Sequence, residues 1–332
     1  MGDALVLTLP SSVTGVHEKF KLDPILPDNG GAVFLVDPTN PLNPWPNGMP
    51  AHNADIPNLV AMQPELGVED LHDALGGPLT LKYLTDGLLT GSYGKMERTS
   101  KGGLHTIISQ DDGLSGLTGN SGGTHYQVIR APGSYEPQGT LVAATPLSNY
   151  FYGTDGTDGA YRHSFYLSMW LRVTRRRISQ LVPVAGLTMN ANYTSGYNVW
   201  VMGPSVDGPD YQVMPMPGAA NYLDHYVSLN NGLGNTLQQV ASTDRLQLGG
   251  GVATSTTIVS ALDAGQAAFM GSSSQGNAGS FIFYRSYMED LTVSGRTFEE
   301  VASIDQSLYE KEMLTPGGRY YGDTFTDPAT IP

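Results

Sequence analysis

A chain of 332 residues is long enough to bury a sizeable core, as one large β domain or two smaller ones. Its 17 Lys and Arg stand against 31 Asp and Glu, a formal charge of −14. That balance disfavours nucleic acid or an anionic membrane as partner, because few cations are available to neutralise phosphate. Cysteine is absent, which excludes disulfides, thiol catalysis and thiolate metal sites together, while 41 Gly and 22 Pro against 14% charged residues favour many turns and few solvated helices.

In chain order, the start "MGDALVLTLPSSVTG" has neither the basic region nor the long apolar region of a signal peptide, and Val6 breaks the myristoylation pattern. No apolar run approaches a membrane span, so membrane insertion is not expected. Residues 4–9 and 31–36 read as short strands separated by a polar, Pro-containing stretch. Residues 1–28 are therefore expected to be an assembly arm and 29–332 the main β domain. Residues 37–59, "DPTNPLNPWPNGMPAHNADIPNL", are too rich in Pro and Asn for regular structure and predict a long ordered loop or wrap. A short amphipathic helix is expected in "VEDLHDAL" and a strand in "LTLKYL", followed by strands at "LHTII" and "THYQVIR" on either side of a Gly-rich loop.

The clearest strand is 164–174, where Phe165, Leu167, Met169, Leu171 and Val173 share one face and Tyr166, Ser168, Trp170, Arg172 and Thr174 the other. Further strands are expected at 197–202, 244–248 and 255–260, then an alternating run from 279 that ends on Glu289 and Asp290. Beyond it, Thr297 and Glu300 form a capping box, and Phe298, Val301, Ile304 and Leu308 recur on one side of a helix near 297–312. Many short strands with one late helix predict an all-β sandwich or jelly roll.

"SFYLSMWLRV" and the later "FIFYRSYMEDLTVSGRTFEEVASID" resemble the laminin-G/concanavalin A-like lectin-glucanase domain. The ending "GGRYYGDTFTDPATIP" and the loop "DPTNPLNPWPNGMPAHNADIPNLV" resemble virion or tail-associated proteins of tailed bacteriophages that carry such a domain. The resemblance implies a jelly-roll β-sandwich in a virion assembled in the host cytoplasm. Its expected role is structural or adhesive and non-catalytic. The expected partners are other virion proteins, copies of itself with a trimer favoured, and host-surface glycan. The alternative is a polysaccharide depolymerase on the same fold.

The residues bear on that choice directly. Glucanases of the resembled fold use an acid–x–acid–x–acid array, whose period of two puts every carboxylate on one face. Here Tyr287, Glu289 and Leu291 hold those phases, and the adjacent Asp290 must face the other way. Glu289 or Asp290 is thus expected to close the strand through a turn, or to pair with Arg285 or Arg296. "GNSGG" at 119–123 resembles the nucleophile loop of trypsin-like proteases, but neither His52 nor His72 sits in the context its base requires, so Ser121 is not expected to be catalytic. Asp155 and Asp158, with Asp111 and Asp112, are oxygen donors on Gly-rich loops and make calcium the one cofactor candidate, although Asx turns use the same residues. Trp45, Trp170, Tyr152 and Tyr161, with Tyr150 nearby, are candidates to stack on sugar rings. Arg172, Arg175, Arg176 and Arg177 form a dense positive patch suited to docking an acidic neighbour.

Overall fold

The computed structural model describes residues 20–42, 45, 48–85, 94–108, 126–130, 150, 160, 163–175, 184–188, 198–202, 225–228, 236–245, 258–265 and 280–331. Strands β1 (Ala32–Val36), β2 (Ala54–Ile56), β3 (Leu81–Thr85), β4 (Gly94–Arg98), β5 (Leu104–Ile108) and β6 (Tyr126–Arg130) precede the long β7 (Ser164–Arg175). They are followed by β8 (Val184–Thr188), β9 (Asn198–Met202), β10 (His225–Ser228), β11 (Thr236–Arg245), β12 (Ile258–Gly265) and β13 (Ser280–Asp290). Helix α1 (Glu69–Leu75) lies early, and α2 (Leu291–Ser294) and α3 (Phe298–Tyr309) follow β13. The expectation of a strand-dominated chain with one principal late helix holds. Of the arm expected at 1–28, residues 1–19 lie outside the described residues, while Asp23, Ile25 and Leu26 are buried in the body.

The strands form two sheets. One is seven-stranded in the order β10-β11-β7-β13-β5-β4, with β1 also on β13; the other is six-stranded in the order β2-β3-β6-β12-β8-β9. The pairings between named strands are antiparallel. The sheets share one apolar core: Phe165, Leu167, Met169, Leu171, Phe281, Phe283 and Met288 from the first meet Ile56, Leu81, Tyr83 and Ala261 from the second. The even-numbered residues of β7 turn away from this core, as the alternation predicts, but not into solvent. Tyr166 joins Ile25, Leu26, Tyr287, Phe298 and Val301 in a second cluster. Trp170 joins Ile282, Tyr284, Tyr309, Met313 and Tyr320 in a third. The first sheet is therefore covered on both faces, by the second sheet inside and by α3 with flanking segments outside.

β13 sits at the centre of this arrangement and is buried along its whole length. It does not keep a single phase. Against β7 its register runs Phe281↔Val173, Ile282↔Arg172, Phe283↔Leu171 and then jumps to Arg285↔Trp170, leaving Tyr284 as the extra residue of a β-bulge. Because of that bulge Tyr284 and Arg285 both belong to the outer face. Beyond it, Ser286, Met288 and Asp290 follow the inner phase while Tyr287 and Glu289 follow the outer one.

α3 forms where its capping signal lies. The Thr297 hydroxyl accepts from the Glu300 backbone N–H at 3.2 Å, and the Glu300 carboxylate accepts from the Thr297 N–H at 2.7 Å. Glu299 and Glu300 in the first turn complement the positive helix end. Phe298 and Val301 are buried against the sheet, and Ile304 and Leu308 pack at the rim. The helix runs into a π-turn at Glu310–Leu314. The chain then doubles back so tightly that a Cβ at Gly318 would lie 2.3 Å from the Lys311 carbonyl oxygen.

Candidate functional site

The acid pair at the end of β13 holds the carboxylates nearest in phase to a glucanase array. Glu289, on the outer face, accepts from the Tyr287 hydroxyl at 2.5 Å and from Arg296 Nε at 2.8 Å, and a second guanidinium nitrogen, Arg296 Nη2, reaches its other oxygen. Burial works against the charge of Arg296, but the hydrogen bond and charge of Glu289 outweigh it and push the guanidinium further up. Asp290, on the inner face, is wholly buried. Its Oδ1 caps α2 by accepting from the N–H groups of Thr292 and Val293 at 3.0 and 3.1 Å. Its Oδ2 accepts from the Tyr150 hydroxyl at 3.0 Å and from His163 Nδ1 at 2.5 Å. Burial, together with the nearby Asp290 charge, pushes the Tyr150 hydroxyl well above its ordinary range and keeps it a donor.

Both acids are thus spent on intrachain partners. A carboxylate has roughly four acceptor positions, and Asp290 uses that number; Glu289 is locked to a guanidinium and a phenol. The strand closes through a turn at Asp290 and pairs with Arg296 at Glu289, two of the alternatives the sequence left open. What Asp290 does instead is tie both ends of the 150–163 segment to the end of the sheet.

Arg285 takes a different partner from the acids beside it. Its guanidinium crosses the outer face to Asp23, with Nη1 and Nη2 donating at 2.7 and 2.8 Å, and reaches Asp37 at 3.3 Å. It also lies over the Trp170 ring, 4.8 Å from the centroid. Burial disfavours the Asp23 carboxylate, yet Arg285 holds it below its usual value. Arg319 approaches the same Asp37 oxygen at 3.0 Å and Glu312 at 3.1 Å. Asp305, on the sheet-facing side of α3, accepts from the Tyr166 hydroxyl at 2.8 Å and from Trp170 Nε1 at 3.0 Å.

A third cluster holds the segment 323–331 as a strap across β4, β5 and β7. Asp323 accepts from Ser100 Oγ, the Lys101 N–H and the Tyr284 hydroxyl. Glu97 accepts from the Thr326 N–H and hydroxyl, each at 2.7 Å, and from Lys95 Nζ at 2.6 Å. Burial opposes the Glu97 charge, but these donors and His105 bring its carboxyl down to about 2. His105 bridges Glu97 and Thr174 and stacks edge-on against Phe325. Burial holds its imidazole below the ordinary value.

Several expectations are corrected by these placements. Trp170 is wholly buried, its indole N–H donated to Asp305, and Trp45 is 4% exposed, so neither presents a face to a sugar ring. Arg172 lies over the Phe325 ring at 5.5 Å, and Arg175 Nη1 donates to the carbonyls of Pro328 and Ile331, so these two cations dock the chain's own strap. Tyr152, Tyr161, Asp155, Asp158, Asp111, Asp112, Ser121, Arg176 and Arg177 lie outside the described residues. Among the described residues no group of three or more His, Cys, Asp or Glu is placed to hold a metal, and no helix is long and apolar enough to cross a membrane. The Arg285 cluster and the strap were not foreseen. The available signal was Arg285 itself, a lone cation in an apolar run, which must find a carboxylate if both strand faces are covered.

Neither a protein-family model nor a curated protein matches the chain. Among solved structures, a sialidase of Trypanosoma rangeli in complex with 2,3-difluoro-KDN is similar at 7% identity, over 83% of this chain, with a TM-score of 0.32. The chain spans 33% of that sialidase.

Proposed function

We propose that the chain is a non-catalytic structural or adhesive component of a bacteriophage virion, in the tail or baseplate, on a concanavalin A/laminin-G-like jelly roll that assembles as a homo-oligomer, a trimer being favoured. One observation carries the non-catalytic part: the acids at the end of the central strand are saturated by Arg296, Tyr287, His163, Tyr150 and the α2 N–H groups. The virion part rests on the resemblance of the 37–60 loop and of the final stretch. Glycan contact falls to Tyr152 and Tyr161, and calcium to Asp155 and Asp158, sequence candidates that lie outside the described residues.

The reading is tested in two arms. Purified chain incubated with a panel of bacterial surface polysaccharides should release no reducing ends above a heat-denatured control. Release that disappears in Glu289→Gln or Asp290→Asn would overturn the non-catalytic assignment. Mass spectrometry of purified particles should find the chain in several copies per particle, and its absence would overturn the virion assignment.

A further inference from the structure

The strap at 323–331 is held by groups far from it in sequence: Lys95 and Glu97 on β4, Ser100 in the turn that follows, His105 on β5, and Arg172 and Arg175 on β7. The separations run from 153 to 231 residues. Its own regular structure is one 3-10 turn at Pro328–Thr330. Its recognition is mostly polar and backbone-directed: Arg175 reads two carbonyls, Glu97 reads an N–H and a hydroxyl, and Ser100 donates its N–H to the Thr324 carbonyl while its hydroxyl accepts the Thr324 N–H.

Upstream, the strap joins the body through Gly322. That residue has φ +69°, and a Cβ there would meet nothing within 4 Å. Tyr321 beside it is 43% exposed. The connection is therefore unpacked, and only a residue without a side chain adopts that backbone conformation freely. Detaching residues 323–331 leaves Tyr320 bonded to Asp37 and to the Tyr284 carbonyl.

We infer that the strap is exchanged between copies: in the assembled state residues 323–331 of one chain occupy the Lys95–Arg175 groove of a second copy. An exchanged strap keeps every contact it makes within one chain, so the swap costs only association, and local concentration in a particle supplies that. Charge favours the same partner. The groove gathers Lys95, Lys101, Arg172 and Arg175 on a chain that carries 17 cations against 31 acids, so an approaching copy is steered towards it. The strap brings Asp323 to that surface, where it accepts from Ser100 and Lys101.

This inference rests on the assembly reading above, but the two fail separately, because particle composition tests that reading and cross-linking tests this one. The chain has no cysteine, so engineered thiols report without background. The Ser100 N–H donates to the Thr324 carbonyl at 2.9 Å, the Thr324 N–H donates to Ser100 Oγ at 2.8 Å, and both residues are exposed. Full-length Ser100→Cys and Thr324→Cys chains carrying tags of different size are co-expressed, oxidised and run without reductant. Exchange predicts a mixed-chain band that reductant removes. Its absence, with the double variant running as an internally bridged monomer, overturns the inference. Light scattering on Arg175→Ala gives an independent reading. Exchange predicts a shift towards monomer, and an unchanged mass overturns it.

Discussion

Asp305 lies within α3, yet its side chain serves the sheet. It holds the hydroxyl of Tyr166 and the indole N–H of Trp170, both wholly buried. Asp305→Ala should destabilise the fold by about 2–5 kcal/mol, because two buried donors lose their acceptor in one step. Urea unfolding would measure the loss, and Trp170 fluorescence would report the altered indole contact. Glu97 gives a pH prediction. Its carboxyl is lowered from 4.5 to about 2 in the fold, so the stability it contributes is fully present above about 4.5 and is lost as pH falls towards about 2. Wild-type unfolding midpoints should fall through that window. Glu97→Gln should start lower by about 1–3 kcal/mol and show a shallower acid decline. The opposed facing of Glu289 and Asp290 was legible in the sequence, because period two is a property of any strand. The partner of Arg285 was not: Asp23 lies 262 residues away, and no local pattern joins them.

Elements were legible where they carry their own signal. The α3 start is written in Thr297 and Glu300, and β7 in its unbroken alternation. Thr297→Ala should cost about 1 kcal/mol by thermal or urea unfolding, the usual weight of an N-cap. Ile304→Asp, at the packed rim of the same helix, should cost more and lower the soluble yield, since it sets a new charge against an apolar cluster. Other elements take their identity from a neighbour. The expected strand at 244–248 overlaps only the end of β11, whose residues "TLQQVASTDR" are strand because they pair with β7 from Val173 to Ser164. Likewise "GKMER" of β4, at the end of its sheet, has no apolar face to announce it. The bulge at Tyr284 was hidden for a related reason. "FIFYRSYM" alternates well enough on paper, and only the register against Leu171 and Trp170 shows that one residue is extra.

At the scale of the molecule, composition and turn density made the strand-dominated class legible, but neither the sheet order nor the outer layer. Both depend on which distant segments meet, and β13 meets the most distant of all. Its residues pair with β7, with β5 and with β1, whose Ala32 faces Glu289. During translation this has a consequence for timing. The ribosome must deliver residue 290 before the seven-stranded sheet can close, so β1, β5 and β7 emerge with a hydrogen-bonding edge still waiting. Until then a nascent chain can accept the corresponding strand from a neighbour on the same polysome. Closure of the sheet therefore waits for β13 to emerge and is exposed to concentration. Refolding from urea should give a native yield that falls as protein concentration rises, measured by light scattering alongside recovery of the native spectrum. A yield independent of concentration would mean that these edges are shielded before β13 arrives.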